Sequence, residues 1–385
     1  MTFQSKIESA FDESLKIASN IDKRCYCCLL YGSSTTIELL SKALAMAHSL
    51  RNSKYPLIIL MTPDVSNEIQ QIVEASGLFS ESRVVDYILA HVGLFKKDWF
   101  REVFTKLHIF NLVDYSRVIF LDLDVIVNTV PAMDKLFDSG FGLAAMENSK
   151  GSPSSGSMWL KHGELMGRNC RLINAGVMLV CPNKLLFELL LEHVRSASEE
   201  HIPGMTPEQT YLARIFKHRF HHISQIYNME VQYHGGVPVT SKWLSASFDE
   251  TVLFHFSGGN PFGRMWNGSD SEWGCQTEKR MVKEKWFIEF NESERKFLNE
   301  RARLAFGKWA FHFASALLIL QQSCFAFHKS EMLSKLEVKV DDDQNMILSI
   351  CDDTRKTTLT VNTANFSVSF PRPARKAPSL IDSVS

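Results

Sequence analysis

Tyr115-Ser116-Arg117-Val118-Ile119-Phe120-Leu121-Asp122-Leu123-Asp124-Val125-Ile126-Val127-Asn128-Thr129-Val130-Pro131 is the stretch on which the fold turns. Val118 to Leu121 is an unbroken apolar run rich in β-formers, the pattern of a parallel strand buried on both faces. Asp122 and Asp124 follow directly. With the two-residue repeat of a strand, both carboxylates point to one side and Leu123 to the other. Two anions sharing one small space call for a cation between them, and hard oxygen ligands at the carboxyl end of a buried strand suit Mg²⁺ or Mn²⁺. Open α/β sheets also bind their ligands at that end. Taken alone, an Asp-x-Asp more often marks loop acids or helix caps than a metal site.

Upstream, Tyr26 to Tyr31 is an apolar run ended by Gly32-Ser33-Ser34-Thr35-Thr36, and Leu39, Leu40, Ala43, Leu44, Ala47 and Leu50 then follow at helical spacing. Pro56 to Met61 predicts a second strand, Ser66 to Ser76 a helix with Ile69, Ile72 and Val73 inward, and Val84 to Ile88 a third strand. This alternation argues for an α/β fold with a mostly parallel sheet and right-handed crossovers. Phe100 to Leu112 has helical spacing in Val103, Phe104, Leu107 and Phe110 and carries Lys106. Beyond the acidic pair, residues 147 to 170 read as a long polar loop, Val177 to Val180 as a strand and Pro182 to Ser196 as a helix. Thr206-Pro207-Glu208-Gln209 opens another helix with its proline in the first turn. Val252 to Phe256 is a strand that delivers His255.

At the ends of the chain the pattern changes. Residues 2 to 19 predict an amphipathic helix through Phe3, Ile7, Phe11 and Leu15. Glu284 to Arg303 is charged and helical, and Trp309 to Phe327 lacks Asp, Glu, Lys and Arg. At about 19 residues it only touches the membrane-spanning range. Phe306, Trp309, Phe313, Leu317, Leu320, Cys324 and Phe327 form a single stripe, with Lys308, His312 and Gln322 off it, so a packed helix is expected rather than a span. Leu336 to Val340, Leu359 to Val361 and Phe366 to Phe370 alternate as strands do, and the tail from Pro371 reads as disordered. The expected units are an N-terminal helix (1–22), the α/β domain (23–270), a helical extension (271–330), a small β appendage (331–370) and the tail (371–385).

Composition excludes little else. The 42 basic and 43 acidic residues nearly cancel, so no global charge points to nucleic acid or an anionic membrane. Cys25 and Cys28 have Cys-x-x-Cys spacing but lack a second pair and fall inside an apolar run, so they read as buried thiols. Met1 to Asn20 carries Lys6, Glu8, Asp12, Glu13 and Lys16 and no apolar core, unlike a signal peptide or an anchor, which makes the expected location cytoplasmic.

Thr105-Lys106-Leu107-His108 before the acidic pair, the pair itself, Ile173-Asn174-Ala175-Gly176-Val177 after it and His255-Phe256-Ser257-Gly258 beyond form an ordered set. This set resembles glycosyltransferase family 8, the retaining, metal-dependent nucleotide-sugar enzymes that include glycogenin. The resemblance implies a GT-A, Rossmann-like nucleotide-sugar-binding domain, a UDP-sugar donor, transfer of a hexose (of the glucose, galactose or glucuronic acid class) with retention, and a glycan, lipid or protein hydroxyl as acceptor. It implies Mn²⁺ (or Mg²⁺) held by Asp122, Asp124 and His255. It places the nucleotide against Leu30, Tyr31, Gly32 and Ser33, brings Lys106 to the donor, and sets Leu123, Ala175, Gly176 and Gly258 in motifs that line the donor. Asn174, Glu208 and Gln209 are the residues it places at the chemistry. A homodimer is possible.

Two departures stand out. Glu208 occupies a place where glycogenin-like members carry Asp, and Asn260 precedes Pro261 where the family motif has a lysine, so Arg264 is the expected replacement cation. Each assignment has a plainer alternative: an ordinary capped turn at Gly32-Ser33, a surface lysine at 106, a turn-former at Asn174, a helix cap at Glu208, a structural histidine at 255 and a solvated Arg264. His218, His221 and His222 read as a polar surface patch rather than a metal site. A silent nucleotide-sugar binder and a self-glucosylating protein with Tyr233 as acceptor are the alternative functions.

Overall fold

Thr2 caps α1 (Phe3–Ala18) by accepting the Ser5 N–H, and the helix buries Ile7, Ala10, Phe11 and Ser14. There follow β1 (Arg24–Leu30), α2 (Ile37–Ser49), β2 (Leu57–Met61), α3 (Asn67–Ala75) and β3 (Glu81–Val84). The computed structural model describes residues 2–31, 37–90, 102–147, 161–166, 172–196, 207–231, 250–256, 292–323, 335–351 and 356–369. A 3-10 helix (Val103–Asn111) leads into β4 (Arg117–Leu121), β5 (Val125–Val127) and the short α4 (Val130–Asp134). After β6 (Leu143–Glu147) come β7 (Ile173–Val180), α5 (Lys184–Ser196), α6 (Pro207–Ile215), β8 (His221–His222), β9 (Met229–Glu230) and β10 (Leu253–His255). The described chain closes with α7 (Glu292–Ser323) and four strands, β11 (Leu336–Val340), β12 (Met346–Cys351), β13 (Lys356–Val361) and β14 (Val368–Ser369).

The main sheet has the order β3-β2-β1-β4-β7-β6-β8. β1 is parallel to both β2 and β4, β2 to β3 and β6 to β8, while β7 runs antiparallel to β4 and β6. The chain leaves β1 toward one edge and returns at β4 on its other side, which makes the carboxyl ends of β1 and β4 the switch point where an open sheet leaves a crevice. Alternation sorts the strand residues onto two cores. Tyr26, Cys28 and Leu30 pack with α2, α3 and α7, and Cys25, Cys27 and Leu29 pack with α1, α5 and α6. A second sheet, β5-β10-β9, stands beside the first, and a four-stranded antiparallel sheet, β11-β12-β13-β14, ends the fold.

Several elements differ from the sequence expectation, among them β6, a strand of the main sheet that the pattern did not suggest. The third strand is Glu81–Val84, earlier than the apolar Val84 to Ile88, because this edge strand pairs through Ile58↔Glu81 to Met61↔Val84 and needs no buried apolar run: Glu81 and Val84 are exposed. The stretch holding Lys106 is a 3-10 helix, with Phe104, Thr105, Lys106, Leu107, Ile109 and Phe110 all buried, so its neighbours and not one apolar stripe shape it. β7 begins at Ile173, ahead of the expected Val177. β12 adds a strand that the alternation did not suggest.

By length and composition Arg303–Gln322 passes for a membrane span, with mean hydropathy 1.3 and 56% of that stretch buried inside the molecule. Its Phe306, Trp309, Phe313, Leu317 and Leu320 pack in one core with Leu40 and Leu44 of α2 and with Leu336, Leu348 and Leu359 of the small sheet. This is the amphipathic packing that the stripe predicts. The tail beyond residue 369 lies outside the described residues.

Candidate active site

The site gathers where β4 ends. Asp122 and Asp124 leave the strand, and the Asp122 N–H donates to the Gly176 carbonyl at 2.9 Å, tying the acidic turn to β7. The Phe256 N–H donates to the Asp124 carbonyl at 2.8 Å, and β10 pairs with β5 through His255↔Val125. This pairing sets His255 against the acids: its Nε2 is 3.3 Å from Asp124 Oδ1, and ligand atoms of Asp122, Asp124 and His255 lie within 4.8 Å of one another. On the other side of the ring, His255 Nδ1 donates to Asn228 Oδ1 at 2.7 Å. That bond orients the imidazole and leaves Nε2 as the nitrogen that faces the acids. A side chain at Gly176 would fill the cradle, since an added Cβ would lie 2.3 Å from His255 Cε1.

Charge at the site is arranged by contact. Lys106 Nζ is 2.9 Å from Asp122 Oδ1 and donates to the Ala175 carbonyl at 3.3 Å, 4.8 Å above the centre of the Phe120 ring. It is buried, not a surface lysine. Burial works against its charge, but Asp122 and Glu208 outweigh that and hold its pKa above the ordinary lysine value. Burial also opposes ionisation of Asp124, yet the adjacent His255 holds the carboxyl below the usual range. Reciprocally, burial disfavours the charged imidazole and the Asp124 carboxylate overcomes it, so the His255 pKa is raised. Burial raises the Glu208 carboxyl despite the pull of Lys106, and the Gln209 side chain hydrogen-bonds it. Tyr31, next to the end of β1, is raised by burial and then by Asp122 and Glu208.

Asn174 lies within β7, where the register with β6 jumps from Ala145↔Met178 to Met146↔Asn174. Its Oδ1 accepts the Gly176 N–H and its Nδ2 donates to Glu230 Oε1, both at 2.9 Å. The structure therefore brings Tyr31, Lys106, Asp122, Asp124, Asn174, Ala175, Gly176, Glu208, Gln209 and His255 to one neighbourhood. Two expected contributors supply no side chain to it. Leu30 is buried in the core, with its carbonyl taken by Thr62, and Leu123 packs against the same core. Gly32, Ser33, Gly258 and Arg264 lie outside the described residues, as do Tyr233 and Asn260. His221 and His222 form the edge strand β8, on which burial lowers His222 to about 4.

Three residues escaped the sequence reading. Asn228 is fully buried and orients His255. Glu230 is paired in register with His255. Lys42 is buried on α2 and bonds Glu38 at 2.8 Å, a spacing that in sequence reads only as a surface pair. Ser49, on the same helix face, accepts the Val127 N–H at 3.0 Å. Lys42 is close enough to Asp124 to act on its charge. Its ammonium is among the charges that keep Asp124 ionised.

Known proteins bear on this geometry. A family model described as glycosyl transferase family 8 matches residues 26–262. An uncharacterized protein of Acanthamoeba polyphaga mimivirus is 28% identical over 62% of this chain and 83% of its own length. Galactinol synthase 2 of Arabidopsis thaliana is 25% identical over 72% of this chain and 84% of its own. Among solved structures, the galactosyltransferase LgtC in complex with donor and acceptor sugar analogs is 16% identical with a TM-score of 0.43, over 71% of this chain and 99% of that one. The matched stretch runs from β1 past His255 and takes in the whole cluster, so the chain belongs to glycosyl transferase family 8 and is a glycosyltransferase with a GT-A-type α/β fold.

Proposed function

We propose that this glycosyltransferase moves a hexose from a UDP-sugar to an acceptor hydroxyl of a glycan, lipid or protein, with retention, and that it requires a divalent cation, Mn²⁺ or Mg²⁺. One observation carries the reading: two carboxylates from the turn after β4 and an imidazole from β10 converge within 4.8 Å. The donor set fits such an ion, with hard carboxylate oxygens and a histidine whose remote nitrogen is already engaged by Asn228. The bare Cα of Gly176 leaves the ring its place. When bound, the cation supplies Lewis-acid neutralisation of the diphosphate.

The chain's own residues do the rest. Lys106 fixes the Asp122 carboxylate and presents a buried positive charge beside it. Lys42 adds a second cation on the α2 side, a described alternative to Arg264 for the lysine that the family motif carries. Asn174 is held at both ends of its amide, which sets one remaining N–H for a sugar hydroxyl. Glu208 and Gln209 stand at the start of α6 within reach of the same charges and are the nearest groups for a two-displacement route to retention.

The test is release of sugar from a panel of UDP-sugars by the full chain, with and without Mn²⁺, beside calorimetric binding of UDP. Metal-dependent release supports the reading. Binding of UDP without release from any donor makes the chain a silent relative, and a mass gain of one hexose per chain on incubation with donor alone makes it self-glucosylating.

A further inference from the structure

Glu230 is a carboxylate beside the candidate ligand His255 that the metal reading leaves without a task. It lies on β9, held in parallel register with His255, and the Val231 N–H donates to the His255 carbonyl at 2.8 Å, so its backbone is fixed to the same strand as a candidate ligand. Its Oε1 accepts one N–H of Asn174. Its Oε2 takes no hydrogen bond from any described residue, and the side chain is only partly buried. The Asn174 carbonyl is already taken by Gly176, so the polar groups this pair still offers are one amide N–H and one carboxylate oxygen, side by side. An N–H donor next to a carboxylate acceptor matches two neighbouring sugar hydroxyls, one accepting and one donating. No described lysine or arginine pairs with Glu230: Lys106 is engaged by Asp122 and Lys42 by Glu38.

We infer that Glu230 is a specificity-determining residue that reads a hydroxyl of the transferred sugar and selects a neutral hexose over a uronic acid. This rests on the reading of the site as a UDP-sugar site. The carboxylate of a uronic acid would meet the Glu230 charge, which no described lysine or arginine pairs, whereas a hydroxyl gains a charge-assisted hydrogen bond. A role confined to pinning Asn174 makes a different prediction, because the carbonyl oxygen of a glutamine would accept the same N–H.

The experiment uses the full chain with Mn²⁺ and measures UDP affinity by calorimetry and kcat/KM for sugar release from UDP-glucose, UDP-galactose and UDP-glucuronate, in the parent and in Glu230→Gln. The parent is expected to favour the better neutral donor over UDP-glucuronate by at least about 100-fold. In Glu230→Gln that ratio is expected to narrow by about 10-fold or more, with UDP affinity within about twofold of the parent. A parent that uses UDP-glucuronate as readily as the neutral donors overturns the inference, and this comparison needs no variant to fold. UDP binding that is normal in both proteins, with an unchanged sugar ratio, also overturns it and leaves the site reading intact. A parent that binds no UDP overturns both.

Discussion

His255 and His48 are equally buried, at 4% exposure each, and the molecule drives them in opposite directions. His255 faces Asp124, and the carboxylate overcomes the cost of burying a charge and raises its pKa. His48, on α2, lies 2.9 Å from His312 of α7 and against the Arg51 guanidinium, and burial followed by that positive neighbour lowers it to about 3. His312 is lowered as well, by burial and then by His48. Neighbours, not depth, decide the charge of a buried histidine. The first pair belongs to a polar group that could hold a cation, and the second is a neutral seam that joins the long helix to the main domain.

The sharpest way to break this contrast is Asp124→Asn, which keeps the shape and removes the charge that His255 faces. Metal-dependent sugar release is expected to fall by at least about 100-fold, with a far-ultraviolet circular dichroism spectrum like the parent's. Retained turnover at saturating Mn²⁺ would make the two histidines alike in being structural.

Gly176→Ala attacks the same side by volume, since its Cβ would overlap the His255 ring. The ring must move, and overpacking of this kind costs about 1–3 kcal/mol. Weaker Mn²⁺ binding by calorimetry and a lower melting temperature are expected. Parent-like values for both would mean that the cradle is looser than its backbone contacts suggest.

Acidification sharpens the other side. With folded pKa values depressed below the unfolded value of about 6.5, His48 and His312 take up protons only on unfolding. Their contribution is therefore complete above about pH 6.5 and is lost as pH falls from there toward each folded pKa, about 3 for His48, by up to ~1.4 kcal/mol per pH unit for each histidine. His255 has the opposite sign and masks part of this loss. Urea denaturation between pH 7 and 5 is expected to show falling stability in the parent and a flatter profile in His312→Gln. The same slope in both proteins would remove the seam from the account.

The smallest effect is expected from Lys42→Met. Removing a cation beside Asp124 while keeping an apolar stem should weaken UDP affinity by about fivefold and reduce its salt dependence, with α2 still packed. Unchanged affinity at low salt would return the burden of the second cation to other residues.

The sequence alone determined the buried strand with its acid pair on one side, the alternating strands and helices, the family and the packed stripe of α7, because these are set by local periodicity and by residues close in the chain. The tertiary structure decided what no local pattern encodes. His255 meets Asp124 through the pairing of β10 with β5, and Glu230 meets His255 through β9. Asn228 meets the remote nitrogen of the ring, and Lys42 acts on Asp124 from α2, which the sequence shows only as an apolar helical pattern. Strand register makes these meetings: a slip of one residue turns every side chain to the opposite face, and the register is chosen by the whole core rather than by either strand. The same cause moved β3 toward its polar residues and wound the Lys106 segment into a 3-10 helix, where contacts with neighbours outweighed the preference of the segment itself.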